Sequence, residues 1–528
     1  MKIPIGIDLG TTFSVVAHVS DDGSIRLLDN DEGAALTPSV VYFEAAGRVV
    51  VGTEAKASVS VQPDRVVAKI KREMGRDFAL TFDGETYGPE GISAIILRAL
   101  AQSASRELGV DPADLVAVVT VPAYFGTTER EATAAAAKIA GLSTIDLVAE
   151  PVAAALSYGV GVGATDRGSV LVYDLGGGTF DATVIELTAG GPKVVSVDGA
   201  SQLGGVDFDQ ILGDLLIGRY VTATGDDGAL DDEEFILSVY ALAEDVKKKL
   251  SRTETASLPL RREGQSAKVA VERAEFTAAT ANLVNETLTV VDRAIAAAIA
   301  KGASRPSQVL LTGGSSRMPA VTSALEGHLR LPVRLSDPDT AVAKGAAIHC
   351  RALLRRTEPA TENRLLGSST AERILDSAPL QSVLARALGI KLHDSTDPEG
   401  KRVMVKHLID SNTALPVAGV TARFATVVDG QSKVRIELME QAGAVSAPDL
   451  SFNRRILDGE LTGLPASLPA GSPIEVQLTV GLDGRISCIA REPRSGQELT
   501  LESYMEGVAD GNESEQQQRA VSGLMVRG

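Results

Sequence analysis

One short turn recurs between paired apolar runs at two distant places in the chain. It reads Asp8-Leu9-Gly10-Thr11-Thr12 near the start and Asp174-Leu175-Gly176-Gly177-Gly178-Thr179 near the middle. The first copy follows Ile3 to Ile7 and leads into Phe13 to Val19; the second follows Val170 to Tyr173 and leads into Ala182 to Leu187. An apolar run, a glycine turn and a second apolar run make a β-hairpin, unlike the strand-to-helix turn of a Walker loop. Glycine lets backbone N–H groups approach an anion, and consecutive N–H groups in a turn form a phosphate-sized nest. Two facing nests would grip one polyphosphate from both sides. The repeat therefore predicts two related lobes closing on a nucleotide.

The bulk of the chain sets the outer limits. At 528 residues it is too long for one core. Its 51 basic and 69 acidic residues give a net charge of −18, a field that repels phosphate backbones and argues against nucleic-acid binding. A nucleotide must then be held by local chemistry. Cys350 and Cys488 stand far apart without metal-ligand neighbours, as expected in a reducing compartment. The first strand begins at Ile3, which leaves no room for a cleavable signal, and no apolar stretch approaches a membrane span. These features predict a cytoplasmic protein with no membrane partner.

Residues 1–355 alternate strands with helices, among them the strands Ala117 to Val121 and Val309 to Thr312 and the helices Thr128 to Ala140 and Glu233 to Leu250. Such alternation predicts α/β lobes. Residues 356–386 break the pattern and read as a linker. Across 387–505 the period becomes two, as in Ile474-Glu475-Val476-Gln477-Leu478-Thr479-Val480, and Val434, Ile436 and Leu438 alternate in the same way. This half is expected to be an antiparallel β-sandwich. Residues 506–528, rich in Glu, Gln, Asn, Ser and Gly, are expected to form a disordered tail.

An ordered series of motifs across roughly 500 residues resembles the seventy-kilodalton heat-shock chaperones. It runs through the paired turns, Val121-Pro122-Ala123-Tyr124-Phe125, Glu150-Pro151, Leu203-Gly204-Gly205, Leu311-Thr312-Gly313-Gly314 and Asp337-Pro338-Asp339. It continues at Leu408-Ile409, Asn412-Thr413, Pro416, Phe424-Ala425-Thr426 and Asp429. The resemblance implies a two-lobed actin-like ATPase domain that binds ATP or ADP with magnesium, followed by a β-sandwich that binds extended apolar peptides. The implied activity is ATP hydrolysis that controls the binding of unfolded proteins.

The resemblance also assigns roles. Asp8 and Asp174 arrange magnesium through water, Lys71 is the catalytic lysine, Glu150 and Asp181 position the attacking water, and Gly10, Thr11, Thr12, Gly176, Gly177, Gly178 and Thr179 meet phosphate. Four acids gathered at one place would raise one another's pKa, so they need cations to stay ionised. Glu244, Lys247, Lys248 and Ser251 share one helical face and match adenosine contacts, as do Gly313, Gly314, Ser315, Arg317 and Asp339. On spacing alone the helical face could equally be a salt-bridged solvent face.

Pro122, Arg130 and Asp376 match the family's relay between nucleotide site and sandwich, although the linker's leucine run around Arg373-Ile374-Leu375-Asp376 is shortened. Ile390, Phe424, Val427, Val434, Ile436 and Ile474 match the peptide cleft, but alternation cannot separate a cleft lining from a sandwich core. His393 stands where the family often has an apolar arch residue. Asp146 replaces a basic residue that meets the J-domain cochaperone, and a reversed charge there turns attraction into repulsion. A nucleotide-exchange factor is a further implied partner. The polar residues after Ser503 do not read as the family's helical lid. Two other functions fit the front fold: a small-molecule kinase, and a nucleotide-dependent scaffold or actin-like filament. The first conflicts with Lys71 and the β half, the second with the presence of Lys71, Glu150 and Thr179.

Overall fold

The computed structural model describes residues 2–20, 22–158, 168–188, 191–335, 337–357, 382–394, 402–443, 446–481, 484–502 and 511–528. The duplicated turn is matched by a duplicated sheet. In lobe I the hairpin Ile3–Asp8 and Phe13–Val19 is antiparallel, Leu115–Val121 and Ser143–Ala149 add in parallel on one side, and Ile25–Leu28 closes the other. In lobe II the hairpin Gly168–Leu175 and Phe180–Thr188 takes Pro306–Thr312 and Val333–Leu335 in parallel, with Gly191–Ala200 on the far side. One apolar core fills lobe I and continues onto one face of the lobe II sheet, and a second lies on the other side of lobe II. The strand Leu115–Val121 is buried along its whole length, as a strand covered on both faces should be.

Two helices join the lobes. Glu150–Ser157 and Ala341–Thr357 cross so tightly that a Cβ at Gly345 would lie 1.7 Å from the carbonyl oxygen of Ala153. The second helix also lies on the first strand, where a Cβ built at Gly6 would lie 2.1 Å from the backbone nitrogen of Ala347. Only glycine permits backbones to come this near.

Two four-stranded antiparallel sheets form the β unit. One has the order Val403–Ile409, Leu388–His393, Lys433–Gln441, Asn453–Thr462; the other has Val417–Ala425, Pro473–Val480, Ile486–Arg491, Glu498–Glu502. Their inner faces enclose a third core. Most of the linker lies outside the described residues.

The C-terminal segment departs from expectation. A helix at Gly511–Ser522 and a strand at Met525–Arg527 pack on lobe I, and the strand pairs in parallel with Arg48–Val51. Polar composition argued for a tail, but Val521 is fully buried and Leu524 nearly so. Burying such side chains contributes about 1.5–3 kcal/mol each, and together with the ladder bonds this opposes the cost of ordering a few residues. No helix among the described residues is long and apolar enough to cross a membrane.

Candidate functional site

Both hairpin turns emerge at the same end of their sheets and meet. A Cβ at Gly177 would fall 2.0 Å from Thr12 Oγ1, and one at Gly178 would fall 2.5 Å from the Thr11 methyl. A Cβ at Gly10 would strike the carbonyl oxygen of Phe13 at 2.1 Å. The facing nests anticipated from the repeat are thus in contact, with glycine required on one side and a threonine on the other. Behind the second turn, Gly205 and Val206 donate to the carbonyls of Gly176 and Gly177 at 2.9 and 2.8 Å, which brings the N-terminus of the helix Gly205–Thr224 toward the same point.

The acids collect beneath these turns. Asp8 ends its strand and accepts from Thr120 Oγ1 at 3.0 Å. Asp174 and Asp181 are register partners across the second hairpin. Asp181 accepts from the backbone N–H groups of Ala123 and Tyr124, both at 3.1 Å. Glu150, the first residue of a helix that crosses between lobes, pairs with Lys71 Nζ at 2.5 Å. All of Lys71, Glu150, Asp174, Thr179 and Asp181 are buried. Burial, then the charge of Glu150, pushes Asp8 up to about 7, against the pull of Lys71. Asp174 is raised by burial and by Glu150, Asp181 and Asp8, and Asp181 is raised by burial and Glu150 against its two N–H donors. A crowd of buried acids with one lysine is short of positive charge, so the residues fit a metal-bound polyphosphate. Among the described residues no three His, Cys, Asp or Glu converge closely enough to hold an ion by themselves.

Residues from lobe I reach across the cleft into lobe II. Arg72 donates from Nε to the Gly178 carbonyl at 2.9 Å and pairs with Asp207 at 2.6 Å. Lys56 pairs with Glu244 at 2.5 Å, and Glu244 also holds Lys248 at 2.9 Å. Lys56 and Lys248 both sit over the Phe13 ring, 5.4 and 4.8 Å from its centroid. Neither Arg72 nor Lys56 was marked by any motif, since their partners lie far away in sequence.

The two segments expected to contact adenosine converge on Gly205. Its missing Cβ would lie 2.2 Å from Ser315 Oγ and 2.9 Å from Lys247 Nζ. Lys247 is buried, bonds the Gly205 carbonyl at 2.9 Å and pairs with Asp209 at 2.8 Å, so it is not part of a solvent face. Ser251 caps its own helix by donating to the Lys247 carbonyl. Gly313 has a positive φ of 78° and meets the Leu175 carbonyl, while Gly314 faces Asp339, which pairs with Arg317.

A second cluster joins the lobes to the sandwich. The Tyr124 carbonyl accepts from Arg386 Nε at 3.2 Å, one residue's backbone away from the N–H that holds Asp181. Arg386 also pairs with Glu129 at 3.3 Å. Glu440, almost fully buried, accepts from the N–H and hydroxyl of Thr127 at 2.8 and 2.9 Å and pairs with Arg454, which in turn pairs with Glu129. Burial opposes the charge on Glu129, yet Arg454 and Arg386 hold its carboxyl below the usual range. Pro122 is buried just before the turn that holds Asp181, and Arg130 donates to the Phe125 carbonyl at 3.3 Å in the same crevice. Asp146 faces that crevice, paired with His349 Nε2 at 2.8 Å. Asp376 lies outside the described residues.

The peptide-cleft candidates do not gather into one surface. Ile390, Ile436 and Ile474 are buried in the sandwich core, where alternation and inward packing are the same signal. Phe424 and Val434 lie partly buried against that core. Val427 is 68% exposed beside Val428 at 57%.

Comparison with known proteins agrees over the whole length. The family described as "Hsp70 protein" matches residues 4–83 and 79–523. The chain is 34% identical over 506 residues to "Chaperone protein DnaK" of Thermotoga neapolitana and to that of Thermotoga maritima; in both cases the match covers 94% of this chain and 79% of the relative. It is 33% identical over 510 residues to the protein of the same description from Thermosipho melanesiensis, with the same coverage.

Proposed function

This chain belongs to the Hsp70 family, an ATP hydrolase and ATP-dependent chaperone that binds ATP or ADP and unfolded client polypeptides, and from that premise we propose which of its residues do the work. The observation that carries the proposal is the buried Lys71–Glu150 pair beneath two touching glycine turns. Lys71, a compact charge held rigidly by Glu150, stabilises the negative charge that develops on the transferred phosphoryl group. Glu150 and Asp181 orient the attacking water, and Asp181 keeps its direction through the N–H groups of Ala123 and Tyr124. Thr11, Thr12 and Thr179 donate hydroxyls to phosphate oxygens. Asp8 and Asp174 hold magnesium through water; when bound, the ion neutralises phosphate charge. Lys247, Ser315 and Arg317, with Gly313 and Gly314, bound the adenosine pocket around Gly205.

Coupling to the client runs through the turn at residues 123–124. One side of that turn holds Asp181 and the other accepts Arg386, so a change at the phosphate end is two hydrogen bonds from the sandwich. Extended apolar peptide is read by Phe424, Val427 and Val434, with the buried isoleucines as the floor behind them. Asp146, tied to His349, weakens engagement by a J-domain built to meet a basic residue.

Single-turnover hydrolysis with and without an apolar heptapeptide tests the reading. Hydrolysis should be slow alone and modestly faster with peptide. A Lys71→Ala chain that binds ATP and still turns it over at the parent rate removes the proposed role of Lys71.

A further inference from the structure

The C-terminal segment sits where nothing in the nucleotide or client reading needs it. The helix Gly511–Ser522 packs against the helices Pro89–Leu108 and Thr127–Ile139 of lobe I. Gly88 N–H donates to Gln517 Oε1 at 3.3 Å, and a Cβ at Gly91 would strike that same side chain at 2.2 Å. Arg98 donates to the Val521 carbonyl at 2.6 Å. Met525, Val526 and Arg527 then pair with Arg48, Val49 and Val50, while Val521 and Leu524 join the lobe I core. An edge strand with a complete partner, two buried anchors and a glycine that makes room for a glutamine form a fitted interface.

This interface changes what the sandwich is free to do. The sandwich is joined to lobe I at both ends of its own sequence, first through the linker and again through this segment. Between Thr357 and Ser382 the chain is long enough to span about 85 Å when extended. Between Glu502 and Gly511 it spans at most about 30 Å. The shorter connection sets the limit. It is also anchored on the helix Thr127–Ile139, whose first turn bonds Glu440 and Arg454 of the sandwich.

We infer that residues 516–527 form an intramolecular strap that holds the end of the sandwich's last strand, Glu502, within about 30 Å of Gly511 on lobe I whatever nucleotide is bound. The lobe I surface made by the edge of Arg48–Val51 and the flank of the two helices is a docking site for this chain's own C-terminus. The strap converts undocking from free departure into a short excursion, which favours rapid return. The inference rests on the proposed nucleotide-driven coupling, since only a sandwich that moves can be restrained.

Distance measurement between paired spin labels tests it. Val61 and Glu498 are exposed on lobe I and sandwich, and Cys350 and Cys488 are buried, so Val61→Cys with Glu498→Cys places labels at known positions. A second chain carries about thirty Gly/Ser residues inserted between Glu506 and Gly507, between sandwich and strap, enough to add a flexible reach of about 30 Å. A third carries Val521→Asp and Leu524→Asp. With ADP, the parent should show one confined distance population, and the lengthened chain should gain a longer one shifted by tens of ångströms. Identical distributions in parent and lengthened chains overturn the strap, as does a parent that already separates beyond its reach. The Asp variant should behave like the lengthened chain; if it stays confined while its C-terminus is cleaved by trypsin, the strap is likewise overturned. ATP hydrolysis measured on the same samples separates the two failures: turnover with identical distributions removes the strap alone, whereas no turnover in any chain removes the coupling reading beneath it.

Discussion

Lobe I and lobe II share a strand order, a glycine hairpin and an acid at the hairpin's end, yet the ion pairs Lys56–Glu244 and Arg72–Asp207 cross the cleft in one sense, from lobe I cations to lobe II acids. Lobe I contributes Lys56, Lys71 and Arg72, all from the stretch that follows its hairpin. Lobe II contributes Asp207 and Glu244, from the helices Gly205–Thr224 and Glu233–Leu250, with Asp174 and Asp181 from its hairpin. A repeated scaffold thus acquires direction from what is inserted between its strands. Two identical halves would repel; these attract, and the attraction is placed where phosphate must go.

The largest expected effect comes from removing the buried cation of that asymmetry. Lys71→Ala leaves Glu150 buried without its partner and should lower single-turnover hydrolysis by about 1,000-fold, with nucleotide binding retained by calorimetry. Next is the asymmetry's link to the sandwich. Glu440→Ala strips the acceptor shared by Thr127 and Arg454, and breaking a buried pair from one side costs about 3 kcal/mol or more; peptide should then no longer accelerate hydrolysis, while fluorescence-monitored unfolding of the lobes should be unchanged. A smaller loss follows from blunting the meeting of the turns. Gly178→Ala pushes a methyl into Thr11 and should weaken ATP binding by an overpacking cost of about 1–3 kcal/mol, read in the dissociation constant. The smallest effect is an acid dependence. Burial alone would raise the Glu244 carboxyl, but Lys56 and Lys248 outweigh it and bring it from 4.5 down to about 2. A carboxyl lowered on folding adds stability above pH 4.5 that is lost as pH falls toward 2. Thermal unfolding of the Glu244→Gln chain should therefore lose less between pH 5 and pH 3 than the parent does, by about a degree or a few.

How far the sequence could be read follows the same division. The hairpin repeat was legible because apolar runs on either side of a glycine turn signal paired strands, whereas the register that sets Asp174 opposite Asp181 is seen only in the structure. The helix Glu233–Leu250 was bounded correctly by its acidic start and basic end. Within the sandwich, alternation found the strands but could not say which residues meet a client, since Ile390, Ile436 and Ile474 alternate as any buried core residue does. Arg386, Glu440 and Arg454 gave no signal at all: an isolated arginine on a polar strand face looks the same whether it meets water or a glutamate three hundred residues away. The C-terminal strand was hidden for a related reason. The stretch before it is polar, the strand itself is only three residues long, and its partner, Arg48–Val51, is nearly the full length of the chain away.

The contact between Gly345 and Ala153 has a mechanical consequence. Two backbones pressed together leave no slack for sliding, so the lobes can only swing about that point, like blades on a rivet. A swing about a fixed rivet moves the far tips most and the hub least. A single methyl at position 345 would loosen the rivet and spoil the leverage without touching a nucleotide contact.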